Sequence, residues 1–245
     1  MSESRSPASR RDEIATALTA TRERIAAACA AAGRSPQDVT LIVVTKFHPA
    51  DDIVLLGELG VRDIGENRHQ EAEAKLADLA EVLPAGQPRP TMHFIGQAQR
   101  NKAAAIARYA DVVHSVDRDR LAVALDRGAE RAGRRLDVLL QVDLDPEPDP
   151  GRGGVLPADV ASLADAVAAL EHLRLRGVMT VAPLGMDPEA AFAALADVVD
   201  RLRSAHPEAT WVSAGMSGDL EAAVAYGATH LRVGTAILGS RPPHR

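Results

Sequence analysis

One lysine of this chain ends its most apolar run, a position in which a side-chain amine becomes reactive. Lys46 follows Leu41-Ile-Val-Val-Thr, and Pro49 opens the next helical segment. Partial desolvation at the carboxyl end of a buried strand makes a lysine amine a better nucleophile toward a carbonyl group. Lys46 is therefore a candidate for Schiff-base chemistry. A surface lysine that merely ends a strand is the alternative.

Two loops near the end of the chain combine glycines with hydroxyl side chains. One is Ser213-Ala-Gly215-Met216-Ser217-Gly-Asp219, the other is Arg232-Val-Gly234-Thr235, and each precedes a predicted helical segment. Backbone N–H groups at the start of a helix bind phosphate, and glycine lets the ligand approach closely. Ordinary helix capping by Ser217 and Thr235 is the alternative for either loop alone. Two such loops after the last two strands favour a phosphate site.

Arg232 lies in the last apolar run, where a charged side chain is costly unless it meets a ligand or an acid. A ligand that carries both an aldehyde and a phosphate would explain Lys46, the two glycine loops and Arg232 together. Pyridoxal 5′-phosphate is such a ligand. An arginine beside the pyridine nitrogen would keep that nitrogen neutral, which suits holding the cofactor better than transamination. A structural salt bridge is the alternative for Arg232.

These residues are embedded in an alternation of short apolar runs and alanine-rich helical segments. We predict eight strands at Thr40–Thr45, Val61–Ile64, Thr91–Ile95, Asp111–Ser115, Leu136–Val142, Leu173–Met179, Thr210–Ser213 and Thr229–Val233. We predict helical segments at Pro49–Leu59, Asn67–Glu81, Lys102–Ala110, Arg118–Ala132, Pro157–Glu171, Asp187–Ala205 and Asp219–Tyr226, and a short turn at Thr235–Leu238. A further helix precedes them over Pro7–Ala32 and ends at Gly33.

This alternation predicts a parallel sheet covered by helices, and eight units in 245 residues match a single (β/α)₈ TIM-type barrel with an extra N-terminal helix. An open doubly wound sheet is the alternative, but no G-x-G-x-x-G follows the first strand. We expect residues 1–6 to form a flexible N-terminus and residues 7–245 to form one barrel domain.

Composition excludes several classes of function. The formal charge of −6 and the six aromatic residues argue against a nucleic-acid partner. A single cysteine, Cys29, excludes an intrachain disulfide, and the eight histidines lack metal-ligand spacing, so no metal is expected. The N-terminal residues lack a signal-peptide core, and no stretch approaches ~18 apolar residues. We therefore expect a cytoplasmic protein without a membrane partner.

Six motifs, taken in order, resemble those of the pyridoxal-phosphate homeostasis proteins, the YggS/PROSC-type family of single barrels related to the alanine racemase N-terminal domain. They are Val43-Val-Thr-Lys46 with Pro49, Gly65-Glu-Asn67 with Gln70-Glu71, His93-Phe-Ile-Gly96 with Gln99 and Asn101-Lys102, Leu173-Arg-Leu-Arg-Gly-Val-Met179, Ser213-x-Gly-Met-Ser217-x-Asp219, and Leu231-Arg-x-Gly-Thr-Ala-Ile-x-Gly-x-Arg241. The resemblance implies an internal aldimine at Lys46, a ring-nitrogen contact at Arg232 and Asn67 near the cofactor. It also implies cofactor contacts in the two late loops, at Ser213, Gly215, Met216, Ser217, Gly234 and Thr235.

The chain departs from the usual family pattern at a few positions. Arg68-His69 replaces Tyr-Val, Leu238 replaces Phe, Asp143 replaces Asn and Arg152 replaces Lys. The changes at Arg68-His69 and at Arg152 could alter what approaches the open face of the cofactor. They leave Lys46 and the phosphate loops unchanged.

Three functions are compatible with these residues. The first is a monomeric protein that binds pyridoxal phosphate and passes it to apoenzymes within intracellular cofactor homeostasis. The second is a fold-type III racemase or decarboxylase, against which we expect no second base, because Tyr109 and Tyr226 fall in helical segments and no further domain follows Arg245. The third is a class I aldolase that uses the same lysine without this cofactor and would be colourless.

Overall fold

The computed structural model describes residues 7–146 and 153–240, which form a closed parallel barrel surrounded by helices. Its strands, β1 to β8, are Thr40–Val44, Asp63–Glu66, Thr91–Phe94, Val112–Val116, Leu136–Gln141, Leu173–Met179, Trp211–Ser213 and His230–Val233. Each strand pairs in parallel with the next, and β8 pairs with β1. The predicted (β/α)₈ barrel is therefore confirmed, and the open-sheet alternative is wrong.

Helices cover the outside of the barrel in the order expected from the sequence. Within the described residues, α1 to α9 are Pro7–Ala31, Ala50–Glu58, His69–Val82, Ala103–Tyr109, Asp119–Arg131, Val160–Ala168, Pro188–Ala205, Leu220–Ala225 and Thr235–Leu238, with short 3₁₀ turns at Pro36–Asp38 and Arg100–Lys102. The predicted N-terminal helix is confirmed, and Gly33 follows it with a φ of +66°. None of the helices in the described ranges has the length and apolarity needed to cross a membrane.

The extra helix α1 packs on the side of the barrel where the last and first strands meet. Ile14 and Leu18 of α1 are fully buried in one apolar cluster with Ile53 of α2 and with Ile237 and Leu238 of α9. Burial of each such side chain contributes about 1.5–3 kcal/mol. The helix that precedes β1 therefore packs against both α2 and α9.

The second strand begins two residues later than the sequence pattern predicts. The sequence predicts a strand over Val61–Ile64, whereas β2 spans Asp63–Glu66. Gly60 has a φ of +81°, and the N–H group of Val61 donates to the carbonyl of Leu56, so these residues close the end of α2. The shift carries Glu66 into the barrel wall, where its side chain is fully buried.

The domain limits 7–245 stay a prediction. The predicted flexible N-terminus at residues 1–6 and the departure at Arg152 lie outside the described residues.

Candidate functional site

The turn after β1 places Lys46 at the carboxyl end of the barrel. Lys46 lies two residues beyond the strand and is half-buried. The next residue, Phe47, has a φ of 67°, a left-handed conformation that is uncommon for an aromatic residue. Its N–H group donates to the carboxylate of Glu71 on α3, which holds the turn in this shape. Backbone strain of this kind concentrates at functional sites.

A cavity of about 380 Å³ opens beside this turn, and the last two loops of the barrel form its other wall. Its lining includes six of the nine predicted site residues: Lys46, Met216, Ser217, Arg232, Gly234 and Thr235. The barrel brings these residues together because the carboxyl ends of all parallel strands meet at one rim. Phe47 and His48 complete the wall on the β1 side.

The β7–α8 loop leaves backbone donors free at the cavity. Asp219 folds back on the loop, where its carboxylate accepts the N–H of Met216 at 2.6 Å and its own N–H donates to the Met216 carbonyl at 3.3 Å. Among the described residues, none accepts a hydrogen bond from the N–H groups of Ser217 and Gly218. The loop is therefore equipped to donate backbone hydrogen bonds to an anion in the cavity.

Glycines set the shape of both loops. Gly215 has a φ of +93°, and a Cβ atom there would lie 2.6 Å from the Cβ of Ala223 on α8. Gly234 lies against β1, where a Cβ atom would be 3.1 Å from the Val44 carbonyl oxygen. Gly215 does not line the cavity, and its positive φ sets the path of the loop.

Arg232 reaches the cavity from β8 and is almost completely buried, with 5% of its surface exposed. Its guanidinium donates to the Ser213 hydroxyl at 2.7 Å and to the Thr180 carbonyl at 2.8 Å. No carboxylate of residues 7–146 or 153–240 forms a salt bridge with it, so the described structure does not show the salt-bridge alternative. Burial lowers the pKa of Arg232 to about 10, and the group is still charged at neutral pH.

Two other predicted residues lie away from the cavity wall. Ser213 is fully buried beneath Arg232, and its hydroxyl also meets the His114 ring at 3.0 Å. Asn67 lines a second cavity, of about 270 Å³, together with Arg68 and His69. The Asn67 Oδ1 atom is buried without a hydrogen-bond partner among the described residues.

The residues that depart from the family pattern occupy different parts of the molecule. The guanidinium of Arg68 lies over the Phe47 ring, 5.7 Å from its centroid, so this departure contacts the wall of the first cavity. Leu238 is 2% exposed and belongs to the apolar cluster beneath α1. The Asp143 carboxylate accepts the N–H of Asp145 at 3.0 Å.

A buried ionic network below Lys46 was not predicted from the sequence. The Lys75 ammonium contacts the carboxylate of Glu66 and donates to the Thr45 carbonyl at 2.7 Å. The Thr45 hydroxyl donates to Glu66 at 2.6 Å, and Glu71 lies 3.5 Å from the same ammonium. Burial raises the pKa of Glu66, although Lys75 opposes that effect. One feature of the sequence could have drawn attention to Lys75, because it is one of only three lysines in the chain.

The donor set of the cavity fits pyridoxal phosphate. It offers one amine, one buried guanidinium without a carboxylate partner in the described structure, and free N–H groups in a loop that precedes a helix. These groups match an aldehyde, a ring nitrogen and a phosphate, respectively.

Comparison with known proteins agrees with this geometry. The family model described as alanine racemase, N-terminal domain, matches residues 17–242. A pyridoxal phosphate homeostasis protein of Mycobacterium tuberculosis is 45% identical over 245 residues, covering 95% of this chain and 94% of the relative. The pyridoxal phosphate homeostasis protein of Escherichia coli K12 is 36% identical, covering 94% of this chain and 97% of the relative.

Solved structures show the same relationship. The structure of PipY from Synechococcus elongatus was determined with pyridoxal phosphate bound, and its sequence is 38% identical to this chain. The two structures superpose with a TM-score of 0.79 over 92% of this chain and 100% of the PipY chain. The alanine racemase of Corynebacterium glutamicum superposes with a TM-score of 0.66 at 18% sequence identity, over 95% of this chain and 62% of the racemase chain. This match shows only that the two proteins share a fold. The chain therefore belongs to the pyridoxal phosphate homeostasis protein family, within the wider group of alanine racemase N-terminal-type barrels.

Proposed function

We propose that this protein binds pyridoxal 5′-phosphate in the cavity beside Lys46 and holds it covalently through the lysine amine. The observation that carries the proposal is that Lys46, Arg232 and the loops at Ser217 and Thr235 line one cavity. The cofactor bound in the PipY structure and the name of the curated relatives support it.

Each part of the cavity has a separate role in this proposal. The chemistry that the cofactor supplies is that of an aldehyde conjugated to a pyridine ring. Lys46 provides the amine for the aldehyde, and the free N–H groups of Ser217 and Gly218 bind the phosphate. The first N–H groups of α9, at Thr235 and Ala236, have no intrahelical partner and serve the same purpose. Arg232 donates a hydrogen bond to the ring nitrogen.

A permanently charged donor at the ring nitrogen favours storage of the cofactor over catalysis on it. An arginine does not release a proton to the ring, so the ring is a weaker electron sink than one paired with an acid. We further propose that the protein is monomeric and cytoplasmic and that it supplies the cofactor to apoenzymes. The racemase alternative requires a second base, and the Tyr109 and Tyr226 side chains do not line the cavity.

Borohydride reduction followed by peptide mass spectrometry tests the covalent link. The purified protein should be yellow, and reduction should fix a pyridoxyl group on Lys46. The Lys46→Ala variant should carry no such label, whereas Lys102→Ala, a lysine of the second cavity, should be labelled like the wild type. Full labelling of the Lys46→Ala variant would show that the lysine is wrongly assigned, and a colourless protein would favour the aldolase.

The phosphate contacts need a separate measurement. The double variant Ser217→Ala and Thr235→Ala should release the cofactor faster during dialysis while its thermal unfolding stays unchanged. Unchanged retention would show that the Ser217 and Thr235 hydroxyls add nothing to the phosphate contacts of the backbone N–H groups. Robust amino-acid racemisation by the purified wild type would favour the enzyme alternative.

A further inference from the structure

Five polar side chains form an unbroken hydrogen-bonded line through the inside of the barrel. Arg232 Nη1 lies 2.7 Å from the Ser213 hydroxyl, which lies 3.0 Å from His114 Nδ1. His114 Nε2 lies 2.9 Å from His93 Nδ1, and His93 Nε2 lies 3.0 Å from the carboxylate of Asp63. His93 therefore links His114 to Asp63.

The line joins opposite ends of the barrel. Arg232 lines the cavity beside Lys46 at the carboxyl ends of the strands. Asp63 is the first residue of β2, and its side chain, 25% exposed, lines a different cavity of about 550 Å³. Barrel interiors are normally filled with branched apolar residues, so this polar series requires an explanation.

The direction of every hydrogen bond follows from the two charged ends. An arginine only donates, so the Ser213 oxygen accepts from Arg232 and its own hydroxyl hydrogen can go to His114 Nδ1. A carboxylate only accepts, so the hydrogen of neutral His93 is on Nε2. His93 Nδ1 must then accept from His114 Nε2, which again leaves His114 Nδ1 as an acceptor. Both ends therefore require the same arrangement of hydrogens.

The surroundings keep His114, in the middle of the line, uncharged. Burial lowers the pKa of His114 well below its ordinary value, and nearby His93 and Arg232 add to this effect. The neighbouring His230 ring lies 6.4 Å from that of His93, and burial lowers its pKa to about 3. A buried guanidinium, Arg232, and a carboxylate, Asp63, form the two ends of the line.

We infer that Asp63, His93, His114 and Ser213 are positioning residues for Arg232, and that they act in series from the far end of the barrel. The inference rests on the proposed function, in which Arg232 faces the ring nitrogen of the cofactor. The line fixes one edge of the guanidinium, the Thr180 carbonyl holds another N–H group, and the remaining donors are left for the cavity. Asp63 supplies a negative charge at the far end of the line, in addition to the Asp219 carboxylate, whose charge raises the pKa of Arg232 from the cavity side.

The hydrogen positions can be tested without the cofactor. In the cofactor-free protein labelled with ¹⁵N-histidine, NMR should show His93 and His114 as neutral rings with the hydrogen on Nε2. The two signals are assigned with the variants His93→Gln and His114→Gln. A hydrogen on Nδ1 of His114, or a charged ring at neutral pH, would overturn the inference whether or not the protein binds pyridoxal phosphate.

A double-mutant cycle tests whether Asp63 acts through Arg232. In the wild-type background, Asp63→Asn should weaken retention of pyridoxal phosphate about threefold or more. In the Arg232→Gln background, the same substitution should weaken retention less than about twofold. The control is Asp111→Asn, because Asp111 is similarly exposed but pairs with Arg89 and Arg134 instead of the line. It should change retention by less than about twofold in either background.

Equal losses in both backgrounds, or no loss from Asp63→Asn, would overturn the inference. If Asp63→Asn does not fold, Ser213→Ala takes its place in the cycle, since it breaks the line next to Arg232. A wild type that binds no cofactor would contradict the proposed function, and the NMR experiment would then decide the inference alone.

Discussion

The guanidinium of Arg24 on α1 donates a 2.7 Å hydrogen bond to the carbonyl oxygen of Ser217 in the cavity wall. Two further nitrogens of the same guanidinium contact both carboxylate oxygens of Glu221 on α8. The N-terminal helix is thereby attached to the loop that presents the free N–H groups. Because the Ser217 carbonyl and the Gly218 N–H belong to one planar peptide unit, the contact with α1 fixes the orientation of the Gly218 N–H toward the cavity.

Removal of this contact should affect retention of the cofactor more than stability. For Arg24→Gln we expect severalfold faster loss of pyridoxal phosphate, with a stability change of only about 0.2–1 kcal/mol because the ion pair is exposed. Arg11→Gln is the control, since Arg11 pairs with Glu58 from the same helix without touching the loop. Dialysis followed by absorbance measures the retention. Equal retention in the two variants would contradict the role of Arg24.

Removal of one partner of the buried pair of Lys75 and Glu66 should destabilise the protein strongly. Lys75→Met leaves the Glu66 carboxylate buried without its cation, which we expect to cost about 3–5 kcal/mol in urea unfolding. The double variant Glu66→Gln and Lys75→Met should recover most of that loss, because no unpaired charge is then buried. A Lys75→Met variant as stable as the wild type would show that the pair carries little energy.

The protonation of Glu66 should give stability a measurable pH dependence. Burial raises the pKa of Glu66 above its ordinary value of 4.5, with Lys75 opposing. A raised pKa in the folded state means that this contribution is present below pH 4.5 and is lost as the pH rises through the folded pKa. The unfolding free energy of the wild type relative to Glu66→Gln should therefore fall over this window. A flat or rising difference would contradict the raised pKa.

The path of the β7–α8 loop should depend on Gly215 much more than on its neighbour Gly218. Gly215→Ala combines a positive φ with a contact of 2.6 Å to Ala223, so we expect a loss of about 1–3 kcal/mol and weaker cofactor retention. A Cβ atom at Gly218 meets nothing within 4 Å, so Gly218→Ala should change stability by less than about 1 kcal/mol. Thermal unfolding compares them, and equal losses would contradict the prediction.

The order of strands and helices, and hence the barrel, could be predicted from the residues alone. Short apolar runs between alanine-rich helical segments identified all eight strands, and parallel closure then required that Lys46 and the two late loops share one rim. For this reason the cavity unites residues from both ends of the chain. The only sizeable error in a strand was in β2, which is displaced by two residues because Gly60 and Val61 complete the turn after α2.

The contacts between polar side chains inside the barrel could not be predicted, because they depend on how distant strands and helices pack together. An alternating pattern states which face of a strand a residue occupies, but it does not state its partner on a distant strand. His114 on β4 and Ser213 on β7 are 99 residues apart in the chain, and closure of the barrel puts their side chains in contact. The same limit applies to Glu66 and Lys75, whose pairing depends on how α3 packs against the barrel wall.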